Sequence, residues 1–336
     1  MRVSVSFIFT VSIGFVGLSD ALTFSKALGK NSVNERLAGQ LSRQRMALSS
    51  AREMESDRID VTTSRLNFLR LRGGDGSPSP SSSSKSLVRE MLAELIGTFL
   101  IVFIGTGAVS SAIFTDSLLG LFQIASVWII AVTIAICTTA SISGAHLNPA
   151  ISIAFAMVRP SKSFNWNKVL PYSISQCLGA ILGSWMNFIV YSSSIAAFEA
   201  KTGIVRGAAS GIASAKAFGE YFAYPVTTAT AFLAESVGTA ILAFVIFALT
   251  HPENDAVKSG FIPPLIGLTV GGLISIFAPL TQAGFNPARD FGPRIVAWFA
   301  GWKTVAFSNS WLYILAPIVG AVIGAALADR VLYSRD

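Results

Sequence analysis

The chain has 336 residues, 52% of them hydrophobic and only 13% Asp, Glu, Lys or Arg, with a mean hydropathy of +0.61. A soluble domain carries about a quarter charged residues, so this composition argues against an ordinary soluble enzyme and for a chain that lies in a bilayer. The net charge of +7 is concentrated early: residues 1–86 hold 12 of the 25 Lys and Arg and 7 of the 18 Asp and Glu, so the remainder is close to neutral and lacks the basic surface a nucleic-acid partner requires.

Residues 1–23 open with Arg2, run through an apolar stretch from Val3 to Leu18, and reach Ser19-Asp20-Ala21, with small residues flanking a candidate cleavage point. With Ser19 and Ala21 at the −3 and −1 positions of a cut after Ala21, that is a signal-peptide-like pattern; a seventh membrane helix is the competing reading. Residues 24–86 are rich in Ser and Arg, end in the tract Ser77-Pro78-Ser79-Pro80-Ser81, and show no sustained apolar period. They read as a disordered transit-like or linker segment, because so little apolar area cannot offset the entropy of ordering. A signal peptide followed by such a stretch resembles the bipartite presequence of proteins sent to algal secondary plastids. The resemblance implies a plastid envelope, and a cytosolic tail on a plasma-membrane or endomembrane protein is the alternative.

From residue 87 to 336 apolar runs alternate with short polar breaks. Spans are predicted near 88–114, 118–141, 168–192, 227–250, 260–280 and 310–331, each close to the ~20 residues that cross a bilayer as a helix. Two further apolar stretches, Asn148–Val158 and Asn286–Phe299, are too short to cross, and each begins Asn-Pro-Ala. Asn is a good N-cap and Pro suits the first helical turn, so both read as short helices that start abruptly after a loop. Cys137 and Cys177 fall in apolar runs and read as small buried hydrophobes. They are too few for a disulfide framework or a metal cluster, and no cofactor is expected.

The two halves, about 88–195 and 227–332, match. Ala93-Glu94-Leu95-Ile96-Gly97-Thr98 opens one and Ala234-Glu235-Ser236-Val237-Gly238-Thr239 the other, each some fifty positions before its Asn-Pro-Ala. Three spans per repeat is an odd number, so the copies lie inverted in the membrane, an arrangement that places a site near the midplane. The fold class is therefore an all-α membrane protein with six spans and two re-entrant half-helices. Lys and Arg are more frequent on the side of the termini, which the positive-inside rule assigns to the cytosol or its equivalent.

Ser143-Gly144-Ala145-His146-Leu147-Asn148-Pro149-Ala150 and Gly284-Phe285-Asn286-Pro287-Ala288-Arg289 resemble the paired signature loops of the aquaporin superfamily, over roughly residues 88–332. The resemblance implies a passive channel, a homotetramer with one pore per subunit, and hydrogen bonds from the Asn148 and Asn286 amides to a passing solute. It implies a loop-supporting role for Glu94 and Glu235. A proton-relay pair is the rival, since intramembrane carboxylates are costly and usually functional. His146 reads as a hydrogen-bonding residue beside the first motif or as a pH sensor.

Spacing to the two asparagines transfers the family's selectivity filter to Trp128, Ile274, Ala283 and Arg289. Water-selective members have a polar His where this chain has Ile274, so an apolar wall faces the Arg289 donors, which suits a polyol. Asp290 and Arg294 are similar to the glycerol-facilitator branch, as is Phe218–Pro225. Trp128 and Ile274 depart from the bacterial facilitators toward the plant nodulin-26-like pattern, and Tyr313 is water-channel-like. The expected solutes are glycerol, water and, as a further candidate, urea. A strict water channel is the alternative, and an ion-coupled transporter would need intramembrane charge that is scarce here.

Overall fold

In the computed structural model, residues 82–118 and 120–333 are described, and every element among them is helical. The signal-like segment 1–23 and nearly all of the linker reading for 24–86 fall outside these residues. In chain order the helices are α1 (Ser82–Thr115), α2 (Leu121–Ser143), α3 (Pro149–Val158), α4 (Trp166–Val190), α5 (Ser192–Thr202), α6 (Thr228–Leu249), α7 (Ile262–Thr281), α8 (Pro287–Ala297) and α9 (Leu312–Leu327). Six of them, α1, α2, α4, α6, α7 and α9 with short extensions, are long and apolar enough to cross a membrane. The short helices α3 and α8 are the two expected half-helices.

Three features differ from expectation. Helix α1 starts at Ser82, inside the segment read as linker, because its Ser-Lys-Ser opening continues without a breaker into the apolar run. Helix α5 was not anticipated; its Ser192-Ser193-Ser194 start looks like a loop, and Gly203 closes it with a left-handed C-cap at φ 68°. Cys137 is exposed on the outer face of α2 rather than buried, and Cys177 is intermediate.

The outer faces are ladders of exposed apolar side chains at four-residue spacing, Leu170, Ile174, Leu178 and Leu182 on α4 and Leu315, Val319, Ile323 and Leu327 on α9. Water would not tolerate patches of this extent, and lipid does. The inner faces carry the polar side chains instead, including fully buried Glu94, Gln176, Glu235 and Asp290. This inside-out distribution is the expected one for a bundle whose solvent is hydrocarbon.

The halves pack as copies. Helix α1 lies on α4 as α6 lies on α9, and α2 crosses α7 between the halves. Close approach comes from matched small residues. A Cβ added at Gly179 or Gly183 would strike the backbone of α1 at Leu95 and Phe99, and one at Gly320 or Gly324 would strike that of α6 at Ser236 and Ala240. Small-xxx-small pairs allow this contact in membranes, where packing rather than water exclusion drives association. Gly320→Leu is therefore expected to cost about 3 kcal/mol, the upper end for overpacking, since a backbone carbonyl cannot move aside as a side chain can. Thermal unfolding in detergent measures it, and an unchanged midpoint would contradict this contact. Each half-helix then packs against the last span of the other half, α3 on α9 and α8 on α4, which interlocks the repeats.

Candidate functional site

Each half-helix is started by its own asparagine. Asn148 Oδ1 accepts from the Ala150 N–H at 2.9 Å, and Asn286 Oδ1 accepts from Ala288 and Arg289 at 3.0 and 3.3 Å. Pro149 and Pro287 occupy the first helical position, where a missing N–H costs nothing. The side-chain amides cross over: Asn148 Nδ2 donates to the Phe285 carbonyl at 2.9 Å, and Asn286 Nδ2 donates to the Leu147 carbonyl at 2.8 Å. The two helix N-termini thus meet head to head and are stitched together by reciprocal bonds. Each amide nitrogen carries two hydrogens, so one is committed to the opposite loop, which the sequence reading did not anticipate, and one remains for a solute.

The loops before the half-helices are folded alike. Gly144, Ala145 and Leu147 lie at φ 87°, 51° and 52°, and Gln282, Ala283 and Phe285 at 64°, 62° and 53°. Both sets stand four, three and one positions before the asparagine. Non-glycine residues in this region cost about 1–3 kcal/mol each and persist only where their surroundings hold them. Two buried carboxylates do the holding. Glu94 Oε1 accepts from the Ser143 hydroxyl at 2.6 Å and the His146 N–H at 3.0 Å, and Oε2 accepts from the Leu147 N–H at 2.6 Å and the Gln176 amide at 2.8 Å. Glu235 accepts from the Gly284 and Phe285 N–H groups at 3.0 and 2.8 Å. Neither carboxylate lines the cavity, which fits support of the loops rather than proton relay.

His146 is packed among aromatic rings and also lines the cavity described below. Its Nδ1 lies 3.2 Å from the Ser152 hydroxyl, and its ring packs on Phe155, Phe164 and Tyr172 at centroid distances of 4.7, 4.2 and 5.4 Å. Tyr172 in turn donates to the Ser143 carbonyl at 3.0 Å. The first loop is therefore braced from α1, α3 and α4 together.

A cavity of about 280 Å³ lies along this junction, and Thr250, Ser259, Asn148, Asn286, Trp128 and Arg289 are among the residues that line it. Ala283 and Ile274 also line it, so all four residues transferred by spacing line the same cavity. The Arg289 guanidinium lies over the Trp128 ring at 4.5 Å, a cation–π contact that gives the indole a second task besides forming an apolar wall. Gly105 leaves room for that ring; a Cβ there would strike it.

Asp290 and Arg294 do not reach the lumen. They form a fully buried ion pair at 2.7 Å on one face of α8. Arg294 also donates to the carbonyls of Ala306 at 2.7 Å and Ser308 at 3.1 Å, and to that of Glu220. Asp290 accepts the Glu220 N–H at 2.8 Å. The pair is a clamp on the 217–225 segment. Tyr313 works on the same side of the loop, donating to the Thr281 carbonyl at 3.0 Å. Its water-channel-like identity thus acts behind the lumen wall. One participant escaped the sequence reading: Glu220, 2% exposed, forms an ion pair with Arg289. A Glu in a segment without period carries no signal of a partner some 70 positions later.

Comparison with known proteins identifies the family. The Major intrinsic protein family model matches residues 81–328. The glycerol uptake facilitator protein of Pseudomonas aeruginosa is 38% identical over 261 residues, which are 76% of this chain and 92% of that protein. The propanediol uptake facilitator PduF of Citrobacter freundii is 39% identical over 248 residues, 72% of this chain and 91% of that protein. Among solved structures, the aquaglyceroporin from Plasmodium falciparum superposes with a TM-score of 0.63 at 27% identity, covering 73% of this chain and 97% of that one. The chain belongs to the major intrinsic protein family, on its aquaglyceroporin branch.

Proposed function

We propose that the protein is a passive channel for glycerol and other small neutral solutes, together with water. The observation that carries this reading is a cavity lined by the asparagines at two opposed helix N-termini, by apolar Trp128 and Ile274, and by cationic Arg289. Each N-terminus carries roughly half a positive charge and unpaired N–H groups. A cation meets a barrier there in low dielectric, whereas a neutral hydroxyl finds donors. At the constriction Trp128 and Ile274 face a solute's CH groups while Arg289 donates to its oxygens, which matches the two sides of a polyol. The named activities of the facilitator relatives support the same solute class.

The test is light scattering of proteoliposomes under a glycerol gradient. Fast reswelling independent of any ion gradient is expected; glycerol flux equal to that of protein-free vesicles would overturn the reading. Fast water loss without reswelling would indicate a strict water channel, and ion-dependent flux a transporter. Urea on the same preparation bounds the solute range. Trp128→Ala removes the bulkiest wall and the platform under Arg289, so four- and five-carbon polyols should gain several-fold more flux than glycerol does. An unchanged ratio would place the bottleneck elsewhere.

Roles assigned to individual pore residues, a homotetramer with one pore per subunit, and an address in residues 1–86 are parts of the same proposal. The exposed apolar ladders support a partner helix face as well as lipid, and cross-linking in membranes tests the tetramer. A reporter carrying residues 1–86 tests the plastid-envelope address against the plasma membrane or another endomembrane.

A further inference from the structure

Glu220 lies outside the membrane-spanning helices, in the segment before α6, yet it is more deeply buried than the filter arginine it touches. Its backbone is held from both sides by α8: Asp290 accepts its N–H and Arg294 donates to its carbonyl. Its side chain then points at the filter. Oε1 makes the ion pair with Arg289 Nη1, while Oε2 has no hydrogen-bond partner among the described residues, and that Arg289 nitrogen has none besides this contact. A fully buried carboxylate with one oxygen unpartnered is expensive. Nothing in the support of the loops calls for it, since Glu94 and Glu235 already hold their N–H groups.

We propose that Glu220 is a positioning residue for the filter: its ionised carboxylate draws Arg289 back against the wall and cancels its charge, so solute discrimination depends on the protonation of a residue that touches no solute. The proposal rests on the reading of the lumen as a glycerol-permeable pore and adds a specificity determinant behind its narrowest point. With Glu220 ionised, the guanidinium is pinned between the carboxylate and Trp128, and the constriction is wide and nearly neutral. With Glu220 protonated, the pull is gone. The guanidinium is then free to lean into the lumen, bind hydroxyls more tightly and stand as an uncompensated positive charge.

The surroundings make that protonation accessible. The Glu220 carboxyl is pushed up to about 8 as the balance of burial, which raises it most, of Arg289 and Arg294, which lower it, and of the Asp290 and Glu235 carboxylates, which raise it. Tyr221 from its own segment and Tyr313 from α9 complete the ionisable groups that face it. Glu220 and Asp290 each face a guanidinium and Glu235 faces backbone N–H groups, so three carboxylates share two guanidiniums, and of the three only Glu220 keeps an unpartnered oxygen among the described residues. Because the folded carboxyl titrates above the ordinary carboxylate range, the ion pair forms as pH rises through this region and is lost as it falls.

The experiment is glycerol and water permeability of the full chain in proteoliposomes, with pH matched on both sides, between about pH 6 and about pH 10. The wild-type protein is expected to gain glycerol flux several-fold with rising pH while water flux changes less. Glu220→Gln should hold the low-pH glycerol-to-water ratio throughout, and Glu220→Asp should restore the pH dependence with a displaced midpoint. A flat wild-type ratio overturns the proposal, as does a Glu220→Gln variant that keeps the wild-type profile. If Glu220→Gln does not assemble, an unmoved midpoint in Glu220→Asp overturns it as well. No glycerol flux at any pH would instead defeat the channel reading, which keeps the two failures distinct.

Discussion

Replacing Arg289 by Val is expected to weaken the channel's discrimination against small cations by about tenfold to a thousandfold. Two unit charges 4 Å apart interact by roughly 4 kcal/mol at the effective dielectric of a protein boundary, and each ~1.4 kcal/mol is a factor of ten. The full figure applies to a bare arginine. The Glu220 carboxylate beside Arg289 cancels part of it, hence the lower bound. Glycerol flux should also change, since the variant removes the donors opposite the apolar wall. The substitution strips Glu220 of its counter-charge and leaves a buried carboxyl that must stay protonated. Arg289→Val alone should therefore assemble poorly, and Arg289→Val with Glu220→Gln should assemble better yet discriminate no better. Cation leak measured beside glycerol reswelling checks this; unchanged leak in both variants would remove Arg289 from the filter.

Glu235→Ala should abolish flux through the second loop rather than tune it. The change orphans the Gly284 and Phe285 N–H groups, at about 1–3 kcal/mol each. It also releases a backbone that holds three consecutive-region residues, Gln282, Ala283 and Phe285, left-handed, each storing about 1–3 kcal/mol. Together these rival the whole margin of a folded protein, about 5–15 kcal/mol, so local collapse of the loop is the cheapest outcome. Loss of the loop takes with it the Asn148 bond to the Phe285 carbonyl and the Asn286 junction. Glycerol permeability per assembled protein should fall at least about tenfold. Glu235→Gln keeps one acceptor oxygen and should retain part of the flux. An alanine variant with wild-type permeability would show that the loop needs no brace.

The features that repeat were legible in the sequence. Paired Asn-Pro-Ala starts, each after a Glu-bearing helix, gave the half-helices, the inversion and the lumen, because N-cap chemistry and span counting are local rules. That the four residues transferred by spacing line one cavity was legible too, since helices convert sequence distance into position. What stayed hidden depends on partners far along the chain. Ala145, Leu147, Ala283 and Phe285 show no glycine to announce a left-handed backbone; carboxylates some 50 positions away impose it. Helix α5 begins with three serines and reads as loop. Asp290 and Arg294 were recognised as markers, but their work as a clamp on residue 220 needs coordinates. As a member of this family the chain is a channel and not an enzyme.

Glycerol flux and membrane current recorded on one reconstituted preparation test the central claim most directly. Opposed helix ends converging on one lumen predict rapid glycerol entry with no proton or potassium current at any imposed voltage. Current that rises with the glycerol flux, and disappears when Asn148 or Asn286 is altered, would contradict a pathway that excludes charge.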